Sequence, residues 1–242
     1  MSTADPTQGS LPDNSAVMPL LDHLRELRNR LIKAAVALLI ATVLSFIFAR
    51  DAVIFLIKPM GGLPQALKPT ETLSNYMKVA LICGVTLSMP VIVYQIGRFI
   101  VPALNRREKR YLFLLVPGAT LCFVAGVAFA YFVMLPTAIP FLQGFMSDVV
   151  KQQWTIGDYL SFVGNLLLWI GVAFELPLFV YFLAKVGIIS DKTLRKHRKY
   201  AILVIAVLAA VITPTVDPLN MALVMGPLII LYELGVLLAR LA

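Results

Sequence analysis

Apolar residues gather in six stretches, at residues 31–48, 77–97, 112–134, 160–184, 200–212 and 219–238, with polar residues concentrated between them. A helix of roughly 20 apolar residues spans the ~30 Å hydrocarbon core of a bilayer. Inside hydrocarbon the backbone must satisfy its own hydrogen bonds, which leaves helices for runs of this kind. The pattern predicts an all-α membrane protein with six transmembrane helices. The fifth run is short: at ~1.5 Å per residue, residues 200–212 reach only about 20 Å, so it needs longer neighbours or a locally thinner bilayer.

Ahead of the first run, Leu20, Leu24, Leu27 and Leu31 repeat at helical spacing, with Asp22, Arg25, Glu26, Arg28 and Asn29 on the other face. Residues 20–30 are therefore expected to form an amphipathic helix lying on the membrane surface. Residues 1–19, with Pro6, Pro12 and Pro19, read as a flexible tail without the basic start of a signal peptide. Residues 20–242 read as a single membrane domain. Residues 50–76 and 135–158 are expected as outer loops, the second holding a short interfacial helix around Phe141, Leu142 and Phe145. Pro117-Gly118 should bend the third span. Gly118, Cys122, Gly126 and Ala130, four apart, form a small-residue stripe that lets helices approach closely. Pro214 and Pro218 enclose a tight hairpin between the last two spans.

Composition and charge then narrow the class. The chain is 60% hydrophobic and 14% charged, against roughly 45–50% and 25% in soluble domains, which excludes a soluble enzyme. Cys83 and Cys122 both lie in apolar runs, so no disulfide framework is expected. The net charge is +8, and 16 of the 21 lysines and arginines fall in residues 25–33, 98–110 and 185–199 and at Arg240. The other five, Arg50, Lys58, Lys68, Lys78 and Lys151, lie in the alternate loops. The positive-inside rule places both termini in the cytoplasm and accounts for the basic balance without nucleic acid.

The chemistry is sparse. The chain carries no phosphate-binding loop, dinucleotide fingerprint, zinc-protease motif or nucleophile elbow, and no catalytic residue, metal site or cofactor is expected. Polar groups inside the spans say more, because an ionised side chain there costs at least ~2.5–3.5 kcal/mol on insertion scales. Glu175 sits deep in the fourth span, on a face shared with Ser161, Gly164, Leu168 and Gly171, and Pro177 follows to weaken the backbone ladder. That face is expected to leave room beside the carboxyl for water, a partner helix or a substrate segment. Gln95 and Glu233 are weaker cases, with hydrogen bonding inside the bundle as the plain reading. At the basic rim stand Glu26, within Arg25-Glu26-Leu27-Arg28-Asn29-Arg30, and Glu108, within Arg106-Arg107-Glu108-Lys109-Arg110. Two readings stay open for them: an intrahelical Glu26–Arg30 pair with a solvated Glu108, or acids that receive a cationic ligand.

The residues from His23 to Leu31 resemble the HLxELRxRL signature of the TatC family, the multispanning subunit of the twin-arginine protein translocase. Pro90-Val91-Ile92-Val93-Tyr94-Gln95, Phe99-Ile100-Val101-Pro102-Ala103-Leu104 with Glu108, Phe174-Glu175-Leu176-Pro177, Thr213-Pro214 and Asp217-Pro218 follow in the family's order. The resemblance implies a concave, glove-like six-helix bundle with short fifth and sixth helices and both termini inside. It implies that Glu26 and Glu108 bind twin-arginine signal peptides, and that Glu175, Gln95 and Glu233 meet partners within the membrane. Asp217 matches an acidic position in the outer hairpin. Implied partners are signal peptides of folded cargo, TatA-type and TatB-type single-span subunits, other TatC copies and the bilayer of the inner membrane; export would draw on the proton-motive force. In the first outer loop, Leu73 and Asn75 depart from the family's usual phenylalanine, and Asn105 replaces an aromatic. A proton-coupled small-solute transporter centred on Glu175 is the alternative, with a passive scaffold as a second.

Overall fold

A computed structural model describes residues 17–100, 109–145, 147–149, 153–185, 187, 189–213 and 218–241. Ten α-helices follow in chain order: α1 (Val17–Ser45), α2 (Ala49–Ile57), α3 (Glu71–Ile100), α4 (Lys109–Phe129), α5 (Leu135–Gly144), α6 (Ile156–Phe174), α7 (Leu176–Lys185), α8 (Asp191–Lys196), α9 (Arg198–Ile212) and α10 (Pro218–Leu241). Four stretches are long and apolar enough to cross a membrane: Glu71–Phe99, Val116–Gly144, Ile156–Lys185 and Met221–Leu241. The pair Asp22–Ser45 and Ala49–Met60, bent by 79°, adds a fifth if taken together. The remaining expected run forms α9, whose 15 residues reach about 22 Å. Outward-facing Leu39, Val43, Leu121, Phe132, Leu203 and Ile230 are exposed, a surface suited to lipid rather than water.

α6 is the central element. Its Tyr159, Leu160, Val163, Leu166, Leu167 and Ile170 are buried and pack with Met134, Leu135, Ile139, Val224 and Leu228 of the surrounding helices. α1 lies chiefly against α3, and α10 packs along α7 and α9. The glycines show why the helices approach so closely. A Cβ on Gly126 would stand 2.8 Å from Phe174 and 2.9 Å from the Ile170 carbonyl oxygen. One on Gly84 would stand 2.7 Å from Thr42 Cα. The stripe of α4 therefore seats α6 within the chain.

The helices differ from expectation at several places. Residues 20–30 do not form a separate surface helix; they are the first turns of α1, because nothing at residues 30 and 31 breaks the helical ladder and side chains on α3 hold them. Residues 49–57, expected within a loop, form α2, and α3 begins at Glu71 rather than near Met77. α4 runs through Pro117, and an irregularity not expected follows it, a π-helical turn at Ala130–Met134 in which Leu135 N–H reaches the Ala130 carbonyl. Pro136, which has no N–H to give the ladder, follows this re-registered turn. α5 then extends the same apolar rod through Phe141 and Leu142, so this segment is not a detached interfacial helix.

The end of the bundle that holds α2 is laced by polar contacts. Tyr159 Oη donates to the Leu56 carbonyl and Tyr131 Oη to the Phe55 carbonyl, each at 2.8 Å, and Tyr131 stacks on Phe55. Two hydroxyls from different spans thus hold the end of α2, at about 1 kcal/mol per net hydrogen bond. The double substitution Tyr131→Phe, Tyr159→Phe is expected to release α2. Amide exchange across residues 49–57 should speed up at least tenfold while α6 and α10 stay protected; unchanged exchange would show that apolar packing alone seats the helix.

Glu71 does similar work for the following segment. Its Oε2 accepts from Leu67 N–H at 2.8 Å and Lys68 N–H at 3.3 Å, and its Oε1 accepts from Gly157 N–H at 2.9 Å. Gln65 meanwhile pairs with the strand-like backbone at Thr155, giving Gln65 N–H to Trp154 O at 3.2 Å and taking Ile156 N–H at 2.9 Å. One carboxylate at the first turn of α3 therefore collects backbone donors from the preceding loop and the first turn of α6.

Candidate functional site

The polar residues singled out from the sequence occupy three separate places in the bundle. At the start of α1, His23, Glu26 and Arg30 lie on successive turns facing the end of α3. The His23 ring stacks on Phe99 with centroids 4.5 Å apart. Glu26 Oε1 accepts from Arg30 Nη2 at 3.1 Å, and Arg30 Nη1 donates to Gln95 Oε1 at 3.3 Å. Their side chains are 29% (Glu26) and 17% (Arg30) exposed. Asp22 and Arg25, by contrast, pair at 3.4 Å in the open, each 72% exposed, where such a contact is worth little. Arg28 and Asn29 are also exposed.

The intrahelical Glu26–Arg30 pair therefore forms, and Gln95 joins it from 65 residues away. Arg30 engages one carboxylate oxygen of Glu26; among the described residues the other, Oε2, has no hydrogen-bond partner. A carboxylate held at one oxygen and still reachable retains capacity for a second guanidinium. Glu108, expected to act with Glu26, lies outside the described residues, as does Asp217.

The second place is the joint between α6 and α7. The helix is interrupted at Glu175, whose N–H bonds to the Val172 carbonyl at 3.1 Å, and Pro177 occupies the first turn beyond. Glu175 Oε1 is buried with no hydrogen-bond partner. The residue lines a cavity of about 200 Å³ with Val93, Ile96, Gly97, Ala119, Leu178, Phe179 and Phe182. The rest of the small face does not stay open as expected. A Cβ on Gly164 would clash with Ile82, and one on Gly171 would stand 2.7 Å from Phe123. Neighbouring helices fill the space at Gly164 and Gly171, while room remains beside the carboxyl. Buried polar groups are otherwise nearly all paired in folded chains, which makes this oxygen a natural contact for an incoming donor.

The third place is the far end of α10. Glu233 Oε2 accepts from Arg198 Nη2 at 2.6 Å, with both side chains partly exposed, and Tyr232 Oη donates to the Leu194 carbonyl at 2.8 Å. Glu233 thus ties α10 to the start of α9, while Glu26 and Gln95 share Arg30 in a separate network. The sequence led to a hydrogen bond from Gln95 to a neighbouring helix, which forms, but not to Arg30 as its partner, nor to the Arg198 link or the Glu71 junction. Only Glu26–Arg30 carried a local signal, its four-residue spacing. Among the described residues no group of His, Cys, Asp and Glu is placed to hold a metal.

Comparison with known proteins agrees with this architecture. Residues 22–227 match the family described as Sec-independent protein translocase protein (TatC). The chain is 42% identical to the Sec-independent protein translocase protein TatC of Deinococcus radiodurans, over 95% of this chain and 88% of that one. It is 37% identical to the protein of the same name from Carboxydothermus hydrogenoformans, over 92% and 93% of the two chains. Among solved structures, a crystal structure of the twin arginine translocase receptor TatC superposes with a TM-score of 0.81 at 39% identity, covering 90% of this chain and 98% of that one. With a family match over most of its length and relatives well above 30% identity, the chain belongs to the TatC family.

Proposed function

We propose that this chain is the signal-peptide receptor and core subunit of a twin-arginine translocase, reading arginine pairs at Glu26 and Glu108. The observation that carries the reading is the Glu26 carboxylate: held in place at one oxygen, partly exposed, and set among exposed arginines on α1. A guanidinium presents a planar fork that pairs with carboxylate at two points, whereas an ammonium is a point charge. Two separated acids can therefore score two adjacent arginines. The surrounding cations raise the threshold for any ligand with a looser fit.

The bound signal's apolar segment would then slide along the bundle toward Glu175, where TatA-type and TatB-type subunits gather. Folded cargo crosses at the expense of the proton-motive force. In this reading the protein lies in the inner membrane with both termini in the cytoplasm, and α9 completes six spans. Its short length favours local thinning of the bilayer where bulky cargo passes. The family match supports a translocase over a proton-coupled solute transporter.

The test is binding of a twin-arginine peptide and its twin-lysine version to the full chain in detergent. The unmodified chain is expected to prefer the arginine form by about tenfold, the scale of one charged hydrogen bond. Glu26→Gln or Glu108→Gln should each erase most of that preference. Equal affinity for both peptides, insensitive to either substitution, would remove the recognition reading.

A further inference from the structure

The bundle places a competitor at the docking carboxylate. Arg30 is itself a guanidinium, four residues along the same helix, and it already occupies Glu26 Oε1. Its side chain is 17% exposed, so the bond is better shielded from solvent than the Asp22–Arg25 contact nearby. An external arginine that pairs with Glu26 through both oxygens must take Oε1 from Arg30. The displaced group is not left bare, because its Nη1 already donates to Gln95 Oε1 on α3. The exchange therefore replaces a single-point contact with a two-point contact, while Gln95 keeps hold of the guanidinium that gives way.

We infer that Arg30 tunes selectivity: it is an internal guanidinium that a two-point ligand must outcompete for Glu26 Oε1, with Gln95 as its holding acceptor. This inference rests on the signal-peptide reading above. Lysine is little affected by such a competitor for a geometric reason. An ammonium makes its bond to a carboxylate oxygen as a point charge and gains no second parallel bond. It can settle on Oε2, which Arg30 leaves open, and so has no need to displace Arg30. Without the competitor, an arginine gains both oxygens with nothing to displace, and discrimination rises.

The experiment measures affinities for the twin-arginine and twin-lysine peptides in the full chain, in Arg30→Gln and in Arg30→Lys, with thermal unfolding recorded for each. Arg30→Gln is expected to bind both peptides more tightly and the arginine form disproportionately, so that the arginine-to-lysine preference rises about threefold to fivefold. Arg30→Lys, which restores a positive charge beside Glu26 but no fork toward Gln95, should fall between. An unchanged or lowered preference in a folded Arg30→Gln chain, or weaker binding of both peptides, overturns the inference. If Arg30→Gln does not fold, Gln95→Leu decides: losing the holding acceptor should weaken arginine-peptide binding about threefold, and no change overturns the inference. Glu26→Gln separates the two levels. An arginine-over-lysine preference that survives it undiminished defeats the receptor reading at Glu26. Binding lost there, with preference intact in Arg30→Gln, defeats only the competitor.

Discussion

Gly84→Leu is expected to dislodge α1 from the bundle. α1 leans mainly on α3, and few of its described residues are buried: Ala41 and Ser45, along the side where Thr42 meets Gly84. A Cβ at Gly84 would stand 2.7 Å from Thr42 Cα and 2.8 Å from Thr42 N. These are backbone atoms, so no rotamer change relieves the contact and one helix has to move. Overpacking a tight site costs about 1–3 kcal/mol when side chains can adjust; here the upper end, about 3 kcal/mol, is expected. Thermal unfolding in detergent should show a large fall in the midpoint. Gly226→Leu, in α10, serves as the control, because a Cβ there meets nothing within 4 Å. Similar midpoints for the two variants would show that α1 and α3 do not cross as closely as described. Since α1 carries Glu26, peptide binding should fail together with stability.

Glu175→Leu is expected to move stability and function in opposite directions. The carboxyl has a buried oxygen with no hydrogen-bond partner and faces a cavity of about 200 Å³ lined mainly by apolar side chains. Leaving a buried polar atom unsatisfied costs about 1–3 kcal/mol. Leucine is of similar volume and removes that cost, so the isolated chain should gain several degrees in unfolding midpoint, at roughly 2–4 °C per kcal/mol for a chain of this size. Export should be lost, because the group that an incoming segment is proposed to meet is gone. Stability retained at a functional site at the expense of fit is a common trade. A lowered midpoint would mean that the carboxyl holds the bundle together. Normal export would mean that the cavity takes no part in transport.

The contrast between these residues shows what was legible. Glu175 stood out in the sequence because a carboxylate within a long apolar run is conspicuous, and Pro177 marked the break in the helix that the structure places at Glu175 itself. The neighbouring glycines misled. Their spacing with Glu175 suggested an open face, whereas Ile82 and Phe123 reach across from α3 and α4 to fill it. A small residue creates space whichever way it is used, and only the facing helix decides whether the space is occupied. The amphipathic repeat at residues 20–30 posed the same difficulty. Its period is that of a helix on a surface and also that of a helix entering the bundle, and contacts with Phe99 and Gln95 on α3 select the second.

By itself, the sequence determined the class of solvent, the helical character, the main apolar runs and the family signature, all properties carried by composition and spacing along one dimension. Hydrocarbon leaves the backbone little choice, so a long apolar run needs no distant partner to become a helix. The tertiary structure alone decided which side chains share a proton, a cavity or a charge. Arg30 meets Gln95 across 65 residues, Glu71 gathers the Gly157 amide across 86, and Arg198 meets Glu233 across 35. Such contacts depend on angstrom-scale approach between helices that are distant in the chain, and periodicity along one helix does not encode its neighbour.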